Sequence, residues 1–374
     1  IFTAMLQIHG RFAGPAAVGV AFNFGIILGV LAGQSALGIE AAAWGVVLGA
    51  SLQVLLQLPQ FWRLLRDDHV RPALTHPRLG AMGLLALPVV GASTLQQINS
   101  FTDKLFASTL EEGRVAALSF ASALGQAPRV ALLLPLMTPL FPLIAKLVSE
   151  DREADALSAF RRVAGLLGLV SVPMMMLLAV YADETAQLAF QRGKCDAGCI
   201  DEIAPPLQFY AFALWPAFGA LLMNRTLSAA RRQRFILIAT AVTVALTIVL
   251  DILLLGPLEQ AGLALASTLG VYASAVMLLG GLRNQFPSLS IRVLGRRQGA
   301  ILVAGAISAG AALALDRVVP TGGKGTLEML PGLIGKVAIA LAVYYVAARL
   351  LARAELSEGI RSVRALVARR RPAV

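Results

Sequence analysis

Apolar runs of membrane length recur along this chain, and nothing else constrains its fold as strongly. They fall at 15–37, 40–58, 84–110, 115–147, 160–182, 203–223, 235–255, 261–282, 300–315 and 330–350. About 20 predominantly apolar residues suffice for a helix to cross a hydrocarbon core about 30 Å thick. Inside that core each backbone N–H and C=O must be satisfied without water, which a helix does within its own segment. The expected fold is therefore all-α: a polytopic membrane protein with about ten transmembrane helices. Composition agrees. Of 374 residues 57% are hydrophobic and 14% charged, with mean hydropathy +0.75, whereas a soluble domain is about 25% charged.

The net charge of +11 does not point to nucleic acid, because the basic residues lie between apolar runs and favour alternate loops. One side collects Arg63, Arg66, Arg71 and Arg78, then Arg225, Arg231, Arg232 and Arg234, and finally the arginine-rich tail. The other side holds Glu111, Glu112 and Arg114 and the loop with Cys195 and Cys199. By the positive-inside rule the first side, with the C-terminus, is expected to be cytoplasmic. Cys195 and Cys199 then face an oxidising compartment, and both a disulfide and two free thiols remain open. Zinc needs more ligands than these two sulfurs, and no histidine stands near them, so no metal is expected. The nucleophile-elbow, metalloprotease and phosphate-loop signatures are absent, so neither an enzyme nor a cofactor is expected.

The polar chemistry concentrates between Pro88 and Pro142, where two apolar helices flank the turn Glu111-Glu112-Gly113-Arg114. Gln96, Asn99 and Asp103 recur every three or four residues and share a face; Ser93, Gln97, Ser100 and Lys104 form the stripe beside it. On the second helix Ser119, Ser122, Gln126 and Arg129 fall within about 80° of arc. An ionised side chain at mid-membrane costs about 2.5–3.5 kcal/mol, so such faces turn toward protein or a wet cavity. Two readings follow: a water-filled pathway with cations in its wall, or helix packing through small and polar residues. Asp251 is a further polar candidate, either buried or at the outer headgroups. Gly25-Ile26-Ile27-Leu28-Gly29 and Gly45-Val46-Val47-Leu48-Gly49 are signals of close helix packing.

Several stretches in register resemble the lipid II flippase family (MurJ, also MviN) of the multidrug/oligosaccharidyl-lipid/polysaccharide exporter superfamily. They are Arg11-Phe12-Ala13-Gly14-Pro15-Ala16 with Asn23 downstream, Trp44-Gly45-Val46-Val47-Leu48-Gly49, Phe106-Ala107-Ser108-Thr109-Leu110-Glu111-Glu112-Gly113, residues 121–128, and Gly256-Pro257-Leu258-Glu259-Gln260-Ala261-Gly262-Leu263. The resemblance implies a fourteen-helix, two-lobe fold that this chain enters at the end of the fourth helix. Residues 1–62 would be the remainder of the N-terminal lobe and 63–78 a cytoplasmic linker. Residues 79–287 would form the six-helix C-terminal lobe, and 288–374 two further helices bordering an apolar lipid groove, with a basic tail. It also implies a multi-pass protein of the bacterial inner membrane that moves an undecaprenyl-diphosphate-linked peptidoglycan precursor outward by alternating access.

On that reading Arg129 and Lys104 are the expected cationic contacts. Asp103 is their electrostatic partner or a proton or ion site, and Gln96, Asn99, Gln126 and Ser122 supply hydrogen bonds. The expected partners are a lipid-linked anionic substrate, membrane lipids and the cell-wall synthesis machinery. One departure stands out: where the family carries an arginine in its eighth helix this chain has Ala123. Another polyprenyl-linked saccharide is therefore an alternative cargo, and a non-transporting scaffold of the cell-wall machinery an alternative role.

Overall fold

The computed structural model describes residues 2–9, 11, 13–67, 79–133, 144–150, 152–191, 195–318 and 326–359. The expected linker beyond Asp67, the prolines at 135, 139 and 142, and the tail past 359 lie outside them. The chain divides into two compact units, Ile1–Ala81 and Met82–Val374.

The first unit contains α1 (Phe2–Ile8), α2 (Ala13–Leu37) and α3 (Glu40–Asp67). A Cβ added at Gly25 would collide with the backbone of Gly49, one at Gly29 with Gly45, and one at Gly33 with Ala41. These pairs step symmetrically away from the turn at Gly38, so α2 and α3 are antiparallel with their backbones in contact. Close approach of this kind holds helices together in lipid, where water exclusion offers no gain. The sequence reading ended this second run at Pro59, but α3 continues through it to Asp67. A proline removes one backbone donor without forcing a stop, and membrane helices tolerate that loss.

The second unit takes in all but the first turn of α4 (Leu79–Ala107), then a turn at Gly113 and α5 (Arg114–Pro128), which runs into a π-helical turn at Arg129–Leu133. After α6 (144–149) come α7 (Glu153–Val180), the short α8 (Ala182–Phe190), α9 (Ala197–Phe212) and α10 (Leu214–Ala229). Residues 203–223, read as one span, are a broken one: α9 and α10 meet at a 43° bend. Helix α11 (Gln233–Gln285) is interrupted at Glu259, whose backbone leaves the helical region (φ 50°, ψ −132°). Gly262 lies against Leu254, Gly270 against Thr247 and Gly281 against Phe235. Only an antiparallel hairpin makes that series, so α11 supplies two crossings. Helices α12 (Ile291–Val318) and α13 (Thr326–Leu351) complete the unit.

The main core joins α6, α7, α10 and both limbs of α11 through Ile144, Phe160, Phe218, Leu222, Leu227 and Leu282, all nearly or wholly buried. Because lipid is as apolar as these side chains, their gain on packing is mainly van der Waals contact. Helices α12 and α13 dock on α7: Tyr344 donates to Leu169 O (3.1 Å), Tyr181 to Ala312 O (3.3 Å), and Ser308 links α12 to Ala340 O (2.7 Å). A shallow apolar cleft of about 520 Å³ along α12 and α13 is walled by Ile307, Ile339, Val343 and Leu350.

Candidate functional site

An open polar cavity of about 350 Å³ lies among α4, α5, α9, α10 and both limbs of α11. Helix α4 contributes Gln96, Asn99, Ser100 and Asp103; α5 and the turn after it contribute Ser122, Gln126 and Arg129. The two polar stripes visible in the sequence therefore meet across one space. Gly125 makes this possible, since a Cβ there would press on Tyr210 Cβ at 2.9 Å; its absence lets α5 close onto α9. Lys104 is not brought in. One residue past Asp103 it has rotated about 100° around α4 and stands exposed, with no polar partner among the described residues.

Arg129 takes its position from Pro128. The proline ring has no N–H and crowds the carbonyl one turn earlier, and the helix widens into the π-helical turn from Arg129. Gln126 donates to Ser122 Oγ (2.9 Å) on the same wall. The Arg129 guanidinium meets no carboxylate or carbonyl among the described residues, so its five donors are available to whatever fills the cavity.

The opposite wall is acceptor-rich. Asp103 Oδ2 accepts from Ser267 (3.2 Å) and Asn99 (3.5 Å), while Oδ1 has no donor among the described residues. Asp251, wholly buried on the first limb of α11, lies against Asp103, and neither of its oxygens finds a donor there. The surrounding hydroxyls are engaged with main chain: Thr243 donates to Ala239 O (3.0 Å), Thr247 to Thr243 O (2.9 Å) and Thr268 to Phe209 O (2.8 Å). Each offers the cavity lone pairs rather than a proton. One end of the space thus presents hydrogen-bond donors, and the other acceptors.

Sequence reasoning left Tyr210, Thr240, Thr243, Thr247 and Ser267 off the wall, and left Asp251 open between a buried place and the outer headgroups; it is buried. A readable signal existed: Thr240, Thr243, Thr247 and Asp251 recur at helical spacing and mark one face of their span.

One end of the bundle is tied by Arg114. Its guanidinium pairs with Glu202 (2.5 Å), Glu259 (2.7 Å) and Glu111 (3.5 Å) and donates to Gln260 Oε1 (2.7 Å). The α4–α5 turn, the start of α9 and the tip of α11 are thereby joined. Gly113, at φ 94°, makes the turn that presents Arg114. Cys195 and Cys199 are joined by a disulfide beside the first turn of α9, where Asp196 caps the helix by accepting from the Cys199 N–H (3.2 Å).

The family model described as Lipid II flippase MurJ matches residues 1–331. The chain belongs to the MurJ family. A probable lipid II flippase MurJ from Rhizobium tropici is 26% identical over 339 residues, covering 88% of this chain and 62% of that protein. Another from Rhizobium meliloti is 26% identical over 379 residues (97% and 69%). The lipid II flippase MurJ of Burkholderia cenocepacia is 25% identical over 296 residues (76% and 56%). A solved structure titled "Lipid II flippase MurJ, inward closed conformation" superposes with a TM-score of 0.74 at 17% identity, over 95% of this chain and 71% of that one. The MurJ fold therefore extends across nearly all of this chain, a multi-pass helical membrane protein that spans 62–69% of the length of the two Rhizobium relatives.

Proposed function

We propose that the chain acts in a lipid II flippase, moving an undecaprenyl-diphosphate-linked peptidoglycan precursor from the cytoplasmic to the outer leaflet of the bacterial inner membrane. The observation that carries the reading is the unpaired Arg129 facing a cavity shared with Gln96, Asn99, Asp103, Ser122 and Gln126. A diphosphate–sugar headgroup loses its hydration on entering such a space, and Arg129 with the amides replaces it while the tail stays in lipid. Asp103 and Asp251 then hold the proton or small cation whose arrival or departure biases alternating access. The arginine-rich side is cytoplasmic, and the cleft along α12 and α13 borders the lipid tail. An open cavity speaks against a scaffold with a degenerate site. The alanine at 123, exposed and off the cavity wall, keeps a different polyprenyl-linked saccharide as the second reading of the cargo.

Cells depleted of their own flippase and supplied with this protein test the role. The parent is expected to restore growth. Arg129→Ala is expected to fail while accumulating normally, through a loss on the order of 10- to 100-fold, the worth of one charge-assisted phosphate contact. Arg129→Lys should recover part, and Ala123→Arg should not rescue Arg129→Ala. Growth of Arg129→Ala equal to the parent at equal expression would sink the assignment.

A further inference from the structure

A second cavity, of about 270 Å³, is separate from the polar one and from the cleft along α12 and α13. It lies among α7, α10, the second limb of α11 and the first turns of α12, with Leu167, Phe218, Leu222, Leu279 and Leu294 on its wall. Its polar groups are mostly engaged. Gln298 accepts from Trp215 (3.1 Å) and donates to Ala164 O (3.0 Å), and Tyr272 donates to Phe212 O (3.3 Å). Ser171 Oγ is left without a partner among the described residues. A single hydroxyl is too little to hold water, which wants two to four partners, so the natural occupant is apolar.

The cavity opens sideways. Val276 on its wall is 69% exposed, and Gly295 opposite is exposed too, so the mouth lies between the second limb of α11 and α12. Two helical turns beyond Val276, on the same face, stands Arg283, and Arg292 and Arg296 flank Gly295. All three arginines are exposed and unpaired among the described residues. Arg297 differs, reaching Glu355 (3.4 Å) and Glu358 (3.7 Å). An apolar slot entered from the bilayer, with cations at headgroup level beside its mouth, is complementary to one molecule class.

We propose that this cavity is a binding site for an anionic glycerophospholipid of the leaflet on the arginine-rich side. One acyl chain lies in the slot, and the phosphodiester rests on Arg283, Arg292 and Arg296. Trp215, on the wall, is a built-in reporter once the exposed Trp44 and Trp62 are replaced by phenylalanine. The protein is placed in bilayers containing phosphatidylglycerol or phosphatidylcholine brominated on the acyl chains, and Trp215 quenching is followed against mole fraction. Phosphatidylglycerol is expected to quench at a mole fraction lower by on the order of tenfold, as favourable arginine–headgroup contacts require. Arg283→Gln/Arg292→Gln/Arg296→Gln, on the surface, should abolish the preference. Gly219→Leu, which fills the slot, should reduce quenching by both lipids. Equal quenching by the two lipids, a preference that survives the arginine changes, or quenching unaltered by Gly219→Leu in a variant of unchanged melting temperature would each overturn the proposal. Complete displacement of brominated phosphatidylglycerol by an equimolar polyprenyl phosphate would also overturn it, by giving the slot to the substrate's tail.

Discussion

Glu184, in α8 beyond the end of α7, shows how a single carboxyl can be set against its surroundings. It is 9% exposed, and burial pushes its pKa above the ordinary 4.5, with Asp316 and Asp183 adding in the same direction while its own backbone contact and Lys336 oppose. A carboxyl raised in the folded state binds its proton more tightly than in the unfolded chain. Its contribution to stability is therefore complete below about pH 4.5 and is lost as pH rises through the folded value. Glu184→Gln, which is always neutral, should raise the melting temperature at pH 7–8, with a gain that disappears below about pH 4.5. Thermal melts of both proteins across that range check it; a gain independent of pH would refute the burial argument. Legibility also varied residue by residue. Gln96, Asn99 and Asp103 were readable because helical period predicts a shared face. Lys104 lies outside the cavity wall, because period does not say which of two adjoining stripes turns inward. Glu184 gave no warning at all, since its burial depends on α12 and α13 far along the chain.

Among elements, the contact between α12 and α13 includes a buried charge. Lys336, 4% exposed in the middle of an apolar helix, donates to Asp316 Oδ1 at 2.6 Å, and Asp316 is 44% exposed. Removing one member of a fully buried pair costs about 3–5 kcal/mol because the other charge is stranded; the partial exposure of Asp316 brings the figure lower. Asp316→Asn should thus lower the melting temperature more than Lys336→Met, and the double change Asp316→Leu/Lys336→Met should restore most of the loss. A melt in which the two single variants are equally mild would mean the pair is screened. The pair escaped the sequence reading because Asp316 and Lys336 lie in separate runs with a loop between them. By contrast, the packing of α2 on α3 was legible from Gly25, Gly29, Gly45 and Gly49, since small residues four apart on facing helices have few other uses in lipid.

Among the described residues seven helices, or eight with the bent α9–α10 pair taken as one span, are long and apolar enough to cross a membrane; that much was legible because hydrophobic length depends on the bilayer rather than on tertiary detail. Direction was less visible. Hydropathy averages over a window and is blind to the 43° bend between α9 and α10 and to the helical course of the chain through Pro59. The cluster around Arg114 was read only as a polar turn, since Glu202, Glu259 and Gln260 reach it from distant segments. Arg114→Gln should loosen the α4–α5 turn, the start of α9 and the tip of α11 together, measured as faster amide exchange at all three. Faster exchange confined to the turn would show that the cluster does not act as one knot. The hairpin of α11 gives that knot a mechanical meaning. Its limbs cannot slide past each other, because Gly262 sits on the backbone of Leu254 and Gly281 on the ring of Phe235. Held at its tip, the hairpin is a stiff lever with its fulcrum at Glu259. A limb running from 233 to 258 is about 39 Å long, so a tilt of about 5° about the tip would displace its opposite end, which is packed in the main core, by about 3 Å. A rearrangement among the carboxylates at one end would therefore be felt along the whole length of the hairpin rather than only at its tip.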